Sequence, residues 1–176
     1  LLYRLKVTGF GTGIGWSHWN NPDGRTQIDA MGIVSCDVSD SDSNVAYIGG
    51  ERLTVLGNRF RNARQSHVVR VWQAYRAVIG GNLVSGSSLD SDTGRQALKL
   101  HGPDEKEVSS KGWDRLVRRT EFTVVSDNLF GSSGPWPVSL GPQNDASDER
   151  LSNIIFERNR YAGEYGQRSG ASLPLD

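Results

Sequence analysis

The hexapeptide VLGNRF at residues 55–60 recurs along the chain, with an apolar residue three positions before a central asparagine. Close copies are IGGNLV at 79–84, VSDNLF at 125–130 and FERNRY at 156–161. More distant copies are VSCDVS at 34–39, with aspartate in the central place, and LKVTGF at 5–10. Internal repetition on this scale is the signature of a stacked repeat architecture, in which each unit buries its apolar face against the next.

The spacing of the central polar residues predicts coils of unequal length. These residues are Thr8, Asp37, Asn58, Asn82, Asn128 and Asn159. Their intervals range from 21 residues (Asp37 to Asn58) to 46 (Asn82 to Asn128), so the longer coils contain loop insertions. Asparagine tolerates left-handed backbone angles, and stacked amides form hydrogen-bonded ladders. We therefore predict an asparagine ladder at one turn of each coil.

Two further strand repeats lie between the asparagines. Residues 46–49, 69–72, 98–101 and 138–141 alternate apolar and mostly polar side chains, which is typical of a strand with one buried face. A third strand precedes each asparagine, at 53–55, 77–79, 122–125 and 154–156. The pattern predicts an all-β fold of about six coils with three short strands per coil. A β-sandwich would explain the alternation but not the recurring asparagine.

On these motifs, residues 3 to 163 resemble the pectate-lyase-like superfamily of right-handed parallel β-helices. The shared pattern is hydrophobic-x-x-Asn-x-aromatic, as at 55–60 and 125–130. The resemblance implies a right-handed parallel β-helix, that is, a solenoid. The chain begins without methionine or a signal-peptide pattern, so we expect residues 1–176 to form a single domain of a longer chain. Residues 103–120 are predicted to be a loop insertion.

The resemblance also places a candidate site. In the superfamily, the sheet that follows the long loop after the asparagine carries the polysaccharide cleft, and here that sheet is the repeat at 46–49, 69–72 and 98–101. Its predicted outward columns are Tyr47, Arg70, Lys99 and Ser139, and beside them Gly49, Trp72, His101 and Gly141. Neighbours in a column are about 4.8 Å apart in stacked strands. His67, just before this sheet, fits a hydrogen-bonded loop histidine better than a ligand-binding one.

These residue types suit β-elimination on a polyuronate. Arg70 would neutralise the substrate carboxylate, and Lys99 or His101 would take the α-proton, Lys99 only with its pKa lowered by Arg70. Trp72 would be a flat platform for a sugar ring. Further predicted substrate contacts are Tyr47, Arg76 and Trp113.

The basic pair is similar to the Lys–Arg pair of β-helix alginate and dermatan lyases, although those enzymes carry Arg-His-Gly where this chain has Leu100-His101-Gly102. The resemblance implies a carbohydrate-active protein on an acidic polysaccharide, with an extracellular, secreted or cell-surface location. A lyase or an epimerase fits better than a hydrolase, which needs paired carboxylates. The alternatives are a non-catalytic carbohydrate-binding or adhesive module, and a purely structural one in which the basic side chains are only solvated.

Two acidic stretches have the composition of calcium loops but not the twelve-residue pattern. They are DSDSN at 40–44 and DSDTG at 90–94, and Asp90 and Asp92 are the candidate Ca²⁺ ligands. The alternative is that such carboxylates neutralise Arg61 and Arg64, which lie in the loop between them. No other cofactor is predicted. The single cysteine, Cys36, is expected to be a small buried side chain.

Composition excludes two classes of partner. Lys+Arg and Asp+Glu each number 20, and a net charge of zero argues against nucleic acid, whose binding depends on a basic surface. No apolar run approaches the roughly 18 residues of a membrane-spanning helix, so no membrane insertion is expected.

Overall fold

The computed structural model describes residues 1–15, 30–87, 95–102, 120–134, 136–141 and 151–163, apart from the side chain of Gln73. Within these residues every regular element is a strand. The strands are β1 (Leu2–Tyr3), β2 (Lys6–Thr8), β3 (Ile14–Gly15), β4 (Ala30–Val34), β5 (Asp37–Ser41), β6 (Ala46–Gly50), β7 (Arg52–Leu56), β8 (Arg59–Ala63), β9 (Val69–Gly80), β10 (Leu83–Ser85), β11 (Leu98–His101), β12 (Thr120–Ser126), β13 (Leu129–Phe130), β14 (Val138–Leu140), β15 (Leu151–Glu157) and β16 (Arg160–Tyr161).

The strands form three rows that the chain visits in a fixed cyclic order. The first row is β1-β4-β7-β9-β12-β15, the second is β2-β5-β8-β10-β13-β16, and the third is β3-β6-β9-β11-β14. Strand β9 belongs to two rows, because Val69 pairs in the third row and Val78 in the first. All described pairs are parallel, which confirms the predicted all-β fold of parallel strands and excludes an antiparallel sandwich.

A ladder of four asparagines joins successive turns of the chain. Asn58 Nδ2 donates to Asn82 Oδ1, Asn82 Nδ2 to Asn128 Oδ1, and Asn128 Nδ2 to Asn159 Oδ1, each at 2.9 Å. The same Oδ1 atoms accept the backbone N–H of the preceding ladder residue. Each Nδ2 also donates to a strand carbonyl, as Asn82 does to Val55 at 3.0 Å. The first three asparagines are only 1% exposed, and hydrogen bonds to both neighbouring turns thus satisfy their buried amides.

The first two positions of the predicted ladder are wrong: Asp37 is one residue too late in the chain, and Thr8 is three residues too late. Asp37 pairs with Arg59, so Cys36 occupies the place of Asn58, and its backbone N–H donates to Asn58 Oδ1 at 2.8 Å. Lys6 pairs with Asp37, which puts Leu5 rather than Thr8 in the ladder position. Cys36 is 2% exposed, so the expectation of a buried cysteine is confirmed.

The left-handed backbone of this turn falls one residue before the ladder position. The residues with positive φ there are Arg4, Ser35, Gly57, Gly81, Asp127 and Arg158. Gly57 and Gly81, both at φ 63°, adopt this conformation at no steric cost, which accounts for the Gly-Asn dipeptide in two copies of the repeat. The asparagine therefore supplies the side-chain amide of the ladder, whereas the residue before it adopts the left-handed backbone conformation of the turn.

The core lies between the rows and is built from stacked inward columns. Ile33, Val55, Ile79 and Val125 form one column of the first row, and none is more than 2% exposed. Phe130 lies in a column of the second row, between Val84 and Tyr161, and its ring is 6.1 Å from that of Phe156. Thr120, predicted to end the insertion, is the first residue of β12, and residues 103–119 lie outside the described part of the chain. In the described part, no helix is long and apolar enough to span a membrane.

Candidate functional site

The first predicted outward column exists in the third row. Tyr47 pairs with Arg70, Arg70 with Lys99, and Lys99 with Ser139. We call these four residues the Arg70 column. Each side chain is half-buried, and neighbours in such a register are about 4.8 Å apart. The sequence repeat therefore brings Arg70 and Lys99, 29 positions apart in the chain, onto adjacent strands.

The second predicted column is only partly correct. Trp72 pairs with His101 as expected, but the two side chains are 1% and 0% exposed rather than open to solvent. The Trp72 ring packs between Tyr47, at 6.4 Å between ring centroids, and His101, at 6.3 Å. A register shift between Ile48 and Gly50 removes Gly49 from the column. Trp72 is thus part of a packed aromatic layer and not an open platform for a sugar.

The Arg70 guanidinium contacts both of its neighbouring turns. Its Cζ atom lies 5.0 Å from the centroid of the Tyr47 ring, which is the geometry of a cation–π contact. On the other side, Arg70 Nε donates a hydrogen bond of 2.9 Å to His101 Nε2. The guanidinium is therefore positioned by one residue from the turn below and one from the turn above.

His101 is a neutral hydrogen-bond acceptor in this arrangement. Because Nε2 accepts from Arg70, the ring proton is assigned to Nδ1, which lies 3.2 Å from the Gly102 carbonyl oxygen. Burial, and after it the positive charges of Arg70 and Lys99, lower the pKa of His101 to about 2. A ring this weakly basic, with its acceptor nitrogen bonded to Arg70, is poorly suited to the predicted role of proton-abstracting base.

His67 belongs to the same electrostatic environment, although the sequence marks it only as a loop histidine. Its Nδ1 accepts a hydrogen bond of 3.1 Å from the backbone N–H of Gln96, 29 residues further along the chain, so the ring is hydrogen-bonded as expected. Burial, followed by the charges of Arg70, Lys99 and Arg95, lowers the pKa of His67 to about 3. Its position three residues before Arg70 is the one sequence signal that could have linked it to the site.

The other predicted substrate contacts do not join the Arg70 column in the described residues. Arg76 is exposed at a left-handed corner of β9, with φ 57°, and its guanidinium lies 5.1 Å over the Tyr75 ring. This corner lies in the first-row part of β9, because Tyr75 already pairs with Glu121 of β12. Trp113 lies outside the described residues.

The carboxylates in the first acidic stretch have protein partners. Asp42 pairs with Arg64 at 3.3 Å, as the neutralisation hypothesis expects, whereas Arg61 pairs with Asp37 at 2.7 Å. Asp40 accepts a hydrogen bond from Asn62, and this bond is the main cause of its lowered pKa. Within the described residues, no group of three His, Cys, Asp or Glu side chains could hold a metal ion. Asp90 and Asp92 fall outside them, so the calcium site stays a prediction.

Comparisons of the chain with protein-family models, curated proteins and solved structures give no match. The class defined by the strands is an all-β protein of stacked parallel rows, with a basic and aromatic cluster on the outside of the third row.

Proposed function

We propose that the chain is a right-handed parallel β-helix of about six coils, of the pectate-lyase-like kind, and that its Arg70 column binds an acidic polysaccharide. The cyclic order of three parallel rows supports the solenoid, since each turn of chain adds one strand to every row. Parallel crossover connections are right-handed in nearly all proteins, which supports the handedness.

The pairing of Arg70 with Lys99 is the observation that carries the proposed ligand. Two cations on adjacent parallel strands repel each other, and an anion that binds between them relieves this repulsion. A guanidinium matches the two oxygens of a carboxylate, and an ammonium adds a compact second charge. A polymer with one carboxylate per sugar supplies such anions. A substrate of this kind goes with an extracellular, secreted or cell-surface location.

The reaction that such a site supports is β-elimination. Arg70 stabilises the charge that develops on the uronate carboxylate as the α-proton leaves. Lys99 takes the α-proton, the C–H electrons form a carbon–carbon double bond, the glycosidic C–O bond breaks, and the departing oxygen takes a proton from water or from the ammonium just formed on Lys99. Since His101 is a neutral acceptor for Arg70, Lys99 is the base in this mechanism, and it acts after the ammonium that helps to bind the carboxylate has lost its proton to solvent.

A non-catalytic binding module is the second candidate, and the state of His101 favours it. With Nε2 bonded to Arg70 and the ring buried, His101 serves the structure of the cation site and not proton transfer. A site of this kind needs only the charges of Arg70 and Lys99 and the ring of Tyr47.

One experiment tests both candidates. The protein is incubated with polymers of galacturonic, mannuronic, guluronic and iduronic acid, while ultraviolet absorbance follows the unsaturated product and calorimetry follows binding. Arg70→Met and Lys99→Met are compared with Arg64→Met, which removes an exposed cation that directly follows β8. We expect the first two variants to lose binding or turnover and the control to keep both.

The outcomes separate the candidates. Product formation that Lys99→Met abolishes supports the lyase, and binding without product supports the binding module. If the protein binds none of the polymers, the proposed ligand class is wrong. If Arg70→Met and Lys99→Met both behave as the unmodified protein does, the site is wrong.

A further inference from the structure

The bond between Arg70 and His101 joins a half-buried cation to a fully buried ring. His101 is 0% exposed, and its backbone carbonyl accepts from Thr120 Oγ1 at 3.0 Å. Thr120 Oγ1 in turn accepts from the backbone N–H of Ala74 at 3.2 Å. The backbone of His101 is therefore tied to β12 through Thr120, whereas its imidazole is held by Arg70 of β9 and by the carbonyl of the next residue, Gly102.

We infer that His101 is a positioning residue, whose Nε2 acceptor and the Tyr47 ring together hold the Arg70 guanidinium in the orientation that receives the carboxylate of an acidic ligand. The ligand in this statement rests on the proposed function, whereas the hold on Arg70 rests on the contacts alone. His101 acts through Arg70 and does not itself touch the ligand.

The charges around His101 make this role consistent. A protonated imidazole has no lone pair on Nε2, so it could not accept the Arg70 N–H and would repel the guanidinium. Among the described residues, the charged and titratable groups that bear on the ring are Arg70, Lys99 and His67. All three disfavour protonation, and burial acts in the same direction. The acceptor state is thus favoured first by burial, which lowers the pKa of His101, and then by the same two cations that form the site.

The hydrogen bond also determines which edge of the guanidinium is presented. Arginine binds a carboxylate through two N–H groups, either Nε with one Nη or the two Nη atoms. Because Nε donates to His101, a carboxylate that binds while this bond persists meets the edge formed by Nη1 and Nη2. The Tyr47 ring covers one face of the guanidinium and limits its rotation out of this plane.

Two substitutions of His101 test the inference. Methionine at this position keeps the bulk and removes the nitrogen acceptor, whereas the glutamine amide oxygen reaches the place of Nε2 and restores an acceptor. We expect His101→Met to weaken binding of a uronic acid oligosaccharide by about tenfold, since a hydrogen bond to a charged group is lost. His101→Gln should return the affinity to within about threefold of the unmodified protein.

Nuclear magnetic resonance gives a readout that is independent of any ligand. In uniformly ¹⁵N-labelled protein, a scalar coupling between Arg70 Nε and His101 Nε2 reports the N–H···N bond directly. We expect this coupling in the free protein, together with a His101 ring that stays neutral at pH 5. If the coupling is absent, or if His101 titrates near pH 6.5, the inference is overturned.

The combined results distinguish the inference from the proposed function. If the coupling is present but the unmodified protein binds no uronic acid oligosaccharide, the positioning of Arg70 by His101 is supported and the proposed ligand is refuted. If the oligosaccharide binds and His101→Met binds it equally well, the proposed ligand stands and the positioning role falls. If His101→Met does not fold, the coupling and the affinity of His101→Gln decide the question.

Discussion

Lowering the pH from 7 to 5 should destabilise the fold through His67 and His101, the histidines that are buried in the described part of the chain. His67 and His101 have pKa values of about 3 and about 2 in the folded chain, against about 6.5 when unfolded. Their folded pKa values are depressed, so below pH 6.5 the unfolded state binds more protons than the folded state. Stability is therefore lost as the pH falls from about 6.5, and the loss continues until the pH approaches 3 and 2.

The size of the effect follows from the same pKa values. At pH 5 each histidine takes up nearly one proton on unfolding, whereas at pH 7 it takes up only a fraction of one. Integrated between these limits, the linkage amounts to about 2 kcal/mol for each histidine and about 4 kcal/mol for the pair. Asp40 and Asp127 have pKa values lowered from 3.8, so their protonation falls below this window.

Urea unfolding at pH 7 and pH 5 measures this loss. The unmodified protein should lose about 4 kcal/mol of unfolding free energy between the two values, and His67→Gln and His101→Gln should each lose about 2 kcal/mol less. Comparing each variant with itself at the two pH values removes the cost of the substitution. A loss below about 1 kcal/mol in the unmodified protein would refute the depressed pKa values. An unchanged pH dependence in both variants would refute their assignment to these histidines.

Further predictions concern the ladder and the surface. Asn82→Ala should lower the unfolding free energy by about 3 to 5 kcal/mol in urea, because it leaves the Asn58 N–H and the Val55 carbonyl without their partner; a loss below 1 kcal/mol would contradict this. Cys36→Asn should raise it by about 1 kcal/mol by extending the ladder one turn, and Cys36→Ala, which adds no amide, should not. Arg64→Ala should leave the urea midpoint unchanged, since its partner Asp42 is 63% exposed; a clear shift would show that the pair matters.

The strand rows were predictable because parallel strands of stacked coils pair residue by residue, so equal spacing from the asparagine means equal position in a row. Two residues of consecutive repeats with the same offset from the asparagine must pair if the coils stack. This reasoning correctly paired Tyr47 with Arg70 and Arg70 with Lys99. It failed at Asp37, since matching by polarity chose the aspartate where the backbone places Cys36.

Period-two alternation also assigned Trp72 and His101 to the outer side of their strands, but it could not predict their burial. Alternation states only which way a side chain leaves its own strand. Whether water reaches that side chain depends on groups from other turns, such as Tyr47 against Trp72. The Gly49 position was lost for a related reason, because a register shift follows from local packing and leaves no periodic signal.

By itself, then, the sequence determined the repeat, the three strand rows, the ladder from Asn58 onward and the neighbours in the Arg70 column. All of these follow from counting along the chain. Only the tertiary structure decided that Cys36, and not Asp37, occupies the position before Asn58, that the aromatic layer is buried, and that His101 accepts a hydrogen bond from Arg70. The physical reason is that burial, protonation and side-chain hydrogen bonds depend on distances between turns, here across 31 residues from Arg70 to His101.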